Sequence, residues 1–154
     1  MVRDYHVNDL PGLVNVFNRA VREIAVRDYS DEQLNAWAPN SPDFLQWSQR
    51  LSNEKGFVYE TDNYVVGFVA DESDGHLDLL YVHPEYQRRG IARALFEAVV
   101  EWARSRSLTR LFTEASVTAK PFFERCGFTV VREQMVEVCG VAMRNFQMER
   151  ACAA

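Results

Sequence analysis

The sequence predicts an α+β fold, with a mixed, mostly antiparallel central sheet of about seven strands flanked by helices. Three observations carry this prediction. The first third of the chain repeats apolar side chains at helical spacing. From Gly56 the pattern changes to strand-like runs separated by turn residues. A strand, a polar loop and a helix then follow one another before three further strands.

Taken in order, residues 2–7 form a short first strand, after which Asn8 or Asp9 caps a helix with Leu13, Val16, Phe17, Ala20 and Ile24 on its apolar side. Ser30 and Gln33 make a capping box for a second helix, which presents Leu34 and Trp37 and stops at Pro39. Pro42 suits the first position of a third helix through Phe44, Leu45, Trp47 and Leu51. Strands follow at residues 57–61, 64–71 and 76–82, with turns at Asp62-Asn63 and Ser73-Asp74-Gly75. The next helix has Ile91, Leu95, Ala98, Val99 and Trp102 on one face and Arg93, Glu97, Glu101 and Arg104 on the other. A strand at 108–116, a short helix at 119–126 closed by Gly127, and strands at 128–138 and 141–149 complete the order. The two strands joined across the Ile91 helix need a crossover, so that pair should be parallel. The tail, residues 151–154, looks dispensable.

With 154 residues, 47% of them hydrophobic, the chain suits one domain, residues 1–154, and leaves no room for a second catalytic unit. Charges in the first six residues stand where a secretion signal needs apolar ones, and no segment is apolar long enough to cross a bilayer; a cytoplasmic protein is expected. Cys126, Cys139 and Cys152 lack the paired spacing of a disulfide framework or zinc site, so no metal is expected. The net charge of −5 opposes nucleic-acid and anionic-membrane partners, which require an excess of Lys and Arg. An anionic ligand must therefore be met locally.

Residues 79–92 are where that is arranged. The strand ends in a polar loop containing Gln87, Arg88 and Arg89, and Gly90 lets the backbone approach a ligand at the start of the helix opened by Ile91 and Ala92. Free N–H groups and the positive end of the helix dipole suit a pyrophosphate. Gly90 and two arginines alone would fit a solvated basic turn equally well. The spacing of Gln87, Gly90 and Ala92, however, resembles the acetyl-CoA motif of the GNAT family (GCN5-related N-acetyltransferases), and residues 81–86 resemble the stretch preceding it. A second segment, Ala119-Lys120-Pro121-Phe122-Phe123-Glu124-Arg125-Cys126-Gly127-Phe128, resembles the family's later helix. The likeness runs over residues 1–149 and is nearest to the bacterial YafP-like group.

The resemblance implies an acetyl-CoA-dependent N-acetyltransferase of the GNAT fold, acting on an amine by direct transfer in a ternary complex. It implies that the parallel pair splays apart, that Leu80, Tyr81 and Val82 meet the pantetheine arm, and that the amides of residues 88–92 cradle the pyrophosphate. It also places Ser116 and Phe123 beside the cofactor, at positions where many members have Asn and a thiol-protonating Tyr; a Phe cannot donate a proton. A noncatalytic acyl-CoA-binding regulatory module is the alternative that Phe123 keeps open. Tyr29 and Trp37 fall where similar proteins shape the acceptor pocket, whereas Trp47 reads as core. Dimers are common in the family, and the last two strands offer an edge for a homodimer.

Direct transfer needs a neutral amine and so a proton acceptor. Even positions of the strand at 76–82 share a face, which would place His76, Asp78, Leu80 and Val82 together and Leu79 and Tyr81 opposite. Asp78 is the first choice of base acting through water, with His76 as partner because its side chain titrates near neutrality. Glu114 is a second carboxylate, the third candidate, and faces either the cleft or solvent.

Overall fold

The computed structural model describes residues 1–152. Strands β1 (Val2–Asp4), β2 (Lys55–Thr61), β3 (Tyr64–Asp71) and β4 (Leu77–Val82) form one antiparallel sheet in that order. Strands β5 (Arg110–Ser116), β6 (Thr129–Val138) and β7 (Val141–Ala151) form a second antiparallel sheet, with β7 in the middle. The helices are α1 (Leu10–Glu23), α2 (Asp31–Trp37), α3 (Phe44–Leu51), α4 (Ile91–Ser105) and α5 (Lys120–Arg125). The expected single sheet is thus divided between β4 and β5. These strands share one parallel bridge, His76 to Phe112, backed by the Phe112 N–H on the Gly75 carbonyl at 3.1 Å and the Thr113 hydroxyl on the Leu77 carbonyl at 2.8 Å. Beyond it no ladder joins them among the described residues.

Two cores hold the sheets. Ile91, Leu95, Phe96, Val99 and Val100 of α4 pack on Val66, Val69 and Leu77 and reach Leu111, Phe123 and Phe146. On the opposite face, Leu13, Val14, Phe17 and Val21 of α1 pack on Val58, Phe68 and Leu79. Burial of each such side chain is worth about 1.5–3 kcal/mol, so α1 and α4 are fixed by their apolar stripes. β6 is an edge of its sheet and exposes Val131 and Met135.

Local signals set most boundaries. Ser30 and Gln33 close their capping box at 3.2 and 2.8 Å. Gly127 takes φ +90° after α5, as a left-handed helix end requires. The start of α3 differs from expectation: Asp43 accepts the Gln46 N–H at 3.0 Å and is the cap, so Pro42 lies outside the helix. The first strand is also shorter, because His6 caps a 3-10 turn before α1, while Asp9 receives both prongs of Arg3 at 2.9 and 2.8 Å. The tail is not free either. Ala151 pairs with Arg110, and Cys152 is buried with its N–H on the Thr109 carbonyl at 2.9 Å, whereas Ala153 and Ala154 lie outside the described residues.

Candidate active site

Where β4 and β5 part, two cavities open. The larger, about 670 Å³, runs along the end of β4, the following loop and the start of α4. It is lined by Leu80, Tyr81, Val82, Gln87, Arg88, Gly90, Ile91, Ala92, Ser116 and Phe123, every cofactor-side residue named from the sequence except Arg89. The Arg89 guanidinium instead sits 4.9 Å from the Tyr86 ring. Gln87 folds back and donates to the Val82 carbonyl at 2.8 Å, which fixes the loop to the strand it leaves. Gly90 caps α4 at φ +79° with no atom within 4 Å of where a Cβ would stand. No side chain caps the helix, and the Ala94 N–H is already bonded to the Gly90 carbonyl. The amides of residues 91–93 therefore have no partner within the helix and face an open space.

The smaller cavity, about 320 Å³, lies on the opposite side, between α1, α2, β4, β5 and the β6–β7 hairpin. Asp78, Glu114, Tyr29 and Trp37 line it; His76 does not. Trp37, Leu80, Tyr81, Ser116, Ala119 and Phe123 border both cavities, so the two lie back to back at the gap between β4 and β5. Tyr29 braces this region: its hydroxyl donates to the Arg144 carbonyl at 2.6 Å and accepts the Val117 N–H at 2.9 Å, tying the end of β5 to β7. Burial pushes its phenol up, so it stays protonated. Trp47 packs edge-on to Phe17 at 4.8 Å, in the core as expected.

Asp78 does not share a face with Leu80 and Val82. A bulge opposite Ala70 and Asp71, which pair with Leu79 and Leu77, leaves Asp78 as the extra residue of β4 and turns it toward α3. There Arg50 grips it with both prongs at 2.7 Å. Burial opposes ionisation of Asp78, but hydrogen bonds from Arg50 and Glu54 outweigh it and hold the carboxyl below the usual range. Glu54 lies behind the pair with its side chain only 6% exposed, 4.0 Å from Arg50. Burial, then the hydrogen bond to Asp78, pushes its carboxyl up to about 8.

His76 sits in the turn before β4, held between Glu114 at 2.7 Å and Glu72 at 2.6 Å. Glu114 outweighs burial in raising the imidazole to about 9, so His76 is a cation at neutral pH. Glu72, His76 and Asp78 offer ligand atoms within 4.8 Å of one another, but Arg50 and the proton on His76 already answer their charge. Asp71 is fully buried and both carboxylate oxygens lack a partner; burial raises it to about 7. Sequence reasoning missed Arg50, Glu54 and Asp71. Nothing in the sequence marked them: α3 ends at Leu51, and Glu54 lies in the turn before β2, where a charged residue is ordinarily solvated.

The chain matches the family model described as acetyltransferase (GNAT) domain over residues 25–150. It is 38% identical to the uncharacterised N-acetyltransferase YafP of Escherichia coli K12, across 96% of this chain and 93% of that one, which agrees with the expected subgroup. A crystal structure of a GCN5-related N-acetyltransferase from Rhodopseudomonas palustris superposes with TM-score 0.94 at 28% identity, covering 98% and 94% of the two chains. A PaiA N-acetyltransferase from Thermoplasma acidophilum, solved with coenzyme A, shares the fold at TM-score 0.78 and 18% identity, over 98% of each chain. With its two motifs, its cleft and these relatives in agreement, the chain belongs to the GNAT family and is an N-acetyltransferase.

Proposed function

We propose that the enzyme takes acetyl-CoA into the larger cavity and a primary amine into the smaller one, and joins them directly across the gap between β4 and β5. The meeting of the two cavities at Leu80, Ser116 and Phe123, which line both, carries this reading. The pantetheine arm lies along the β4 edge, where Leu80 and Val82 offer backbone groups that no β5 ladder uses. The unpaired amides at the start of α4, with Arg88, bind the pyrophosphate, and a backbone N–H near Leu80 steadies the thioester oxygen as it gains charge. The PaiA N-acetyltransferase, solved with coenzyme A on the same fold, supports a CoA donor.

On the acceptor side the ammonium loses a proton through water toward Asp78, the free amine attacks the thioester carbon, and the nitrogen sheds its second proton to water as the tetrahedral intermediate expels CoA thiolate, leaving a neutral amide. Phe123 supplies no proton at the junction. A thiol of pKa about 8.5 departs tolerably without one, and Ser116, whose oxygen accepts the Ala119 N–H at 3.0 Å, adds a hydroxyl at the same point. These steps use the chain's own groups without a metal, and a cytoplasmic setting belongs to the same reading. Thiol release from acetyl-CoA against a broad panel of amines tests the proposal. Amine-dependent release that falls about a hundredfold in Asp78→Asn, with acetyl-CoA affinity kept, is expected. Firm acetyl-CoA binding without release for any amine would point instead to a noncatalytic acyl-CoA module.

A further inference from the structure

A carboxyl group normally emerges from a protein or finds a cationic partner, and Glu54 does neither. Its side chain is 6% exposed, its Oε1 has no hydrogen-bond partner, and its nearest cation, Arg50, stands 4.0 Å away with both prongs already on Asp78. It shares that one guanidinium with Asp78, which Arg50 holds at 2.7 Å, so two carboxyls face a single cation and a proton held on one of them relieves the excess charge.

We propose that Glu54 is a positioning residue for acceptor deprotonation, the terminus to which Asp78 passes the proton it collects. Asp78 faces the acceptor cavity but, gripped by Arg50, is too weak a base to keep a proton. Glu54, screened from solvent behind it, is the better resting place, since its affinity for a proton lies near pH 8, much closer to that of an amine. The steps balance. With Glu54 ionised, the acceptor ammonium yields a proton to Asp78, by way of water, and Asp78 yields one to Glu54. The nitrogen lone pair is freed for attack, and the buried group goes from two carboxylates facing one guanidinium to one facing one. After product leaves, the proton returns through Asp78 to solvent.

The charged and titratable groups around the pair are Arg50 from α3, Glu72 and Asp71 from the end of β3, and His76 and Tyr81 on either side of Asp78. His76 is a cation through neutral pH, and Tyr81, pushed up by burial, is neutral, so neither supplies the same ionisation. Asp71 titrates about one unit lower.

This inference rests on the acyl-transfer reading, and two measurements separate the failure of one from that of the other. The first is a carbon-detected NMR titration of the glutamate carboxyls in the whole protein without ligands. One resonance should titrate near pH 8 and vanish in Glu54→Gln. The second is the pH dependence of single-turnover acetylation, using an accepted amine of low pKa so that the acceptor itself does not titrate in the window. Wild-type rate should rise through about pH 8, and Glu54→Gln should lose that rise and fall at least tenfold at pH 9, with acetyl-CoA affinity unchanged. An active enzyme in which Glu54 titrates below pH 6, or in which Glu54→Gln keeps the wild-type profile, overturns the inference alone. A glutamate titrating near pH 8 in a protein that acetylates no amine overturns the acyl-transfer reading and this inference with it.

Discussion

Asp71 is buried without a partner for either oxygen, and the cost of that arrangement depends on pH. Its folded pKa, about 7, lies above the ordinary 3.8, so between those values the folded state binds more protons than the unfolded one and stability falls as pH rises. Asp71→Asn should therefore raise stability by roughly 1–2 kcal/mol at pH 8, the amide's own unmet hydrogen bonds taking back part of the gain, and should bring no such gain near pH 4. Urea unfolding at the two pH values checks this; a loss of stability at pH 8 contradicts it. His76 acts in a higher window. Its folded value, about 9 against an ordinary 6.5, gives stability that is fully present below 6.5 and is lost as pH rises through about 9. Because Glu72 and Glu114 are partly solvated, screening limits the contribution to about 1–2 kcal/mol, and Glu114→Gln should remove much of it.

At the scale of elements, the β4–loop–α4 unit was the most legible part of the chain. Gln87, Gly90 and Ala92 declare it because a close backbone approach at a helix start needs a residue free of Cβ, and Gly90 does stand in left-handed backbone facing open space. Gly90→Val should strain the backbone by about 1–2 kcal/mol and lower acetyl-CoA affinity more than tenfold, beyond any loss of folding, as read by calorimetry. Equal affinity in the folded variant would remove the pyrophosphate from this loop. The bulge in β4 was not legible. Strict alternation placed Asp78 beside Leu80, and nothing in a run of six strand-forming residues announces that one of them will be left unpaired. For the same reason Arg50 and Glu54 drew no attention in the sequence, since only the turning of Asp78 toward α3 gives them a task. Tyr29 shows the reverse case, a residue placed near the acceptor pocket by position alone whose hydroxyl also splices β5 to β7. Tyr29→Phe should cost about 2–3 kcal/mol, because it leaves the Val117 N–H and the Arg144 carbonyl without that partner.

Across the whole molecule, dividing the expected sheet in two is what makes room for chemistry. α4 and α1 clamp opposite faces of the four-stranded sheet, Tyr29 and the β6–β7 hairpin hold the other sheet, and the two cavities meet where β4 and β5 part. The crossover through the Ile91 helix predicts a parallel β4–β5 pair, of which the structure holds the single bridge from His76 to Phe112, and the point at which the strands separate depends on side chains meeting across both cores. In the proposed reaction donor and acceptor occupy these two cavities together. Initial velocities measured while acetyl-CoA and an accepted amine are both varied test it most directly. Lines that intersect in double-reciprocal form, with no acetylated protein seen by mass spectrometry after acetyl-CoA alone, are the result expected of a ternary complex; parallel lines with an acetyl-enzyme intermediate would contradict it.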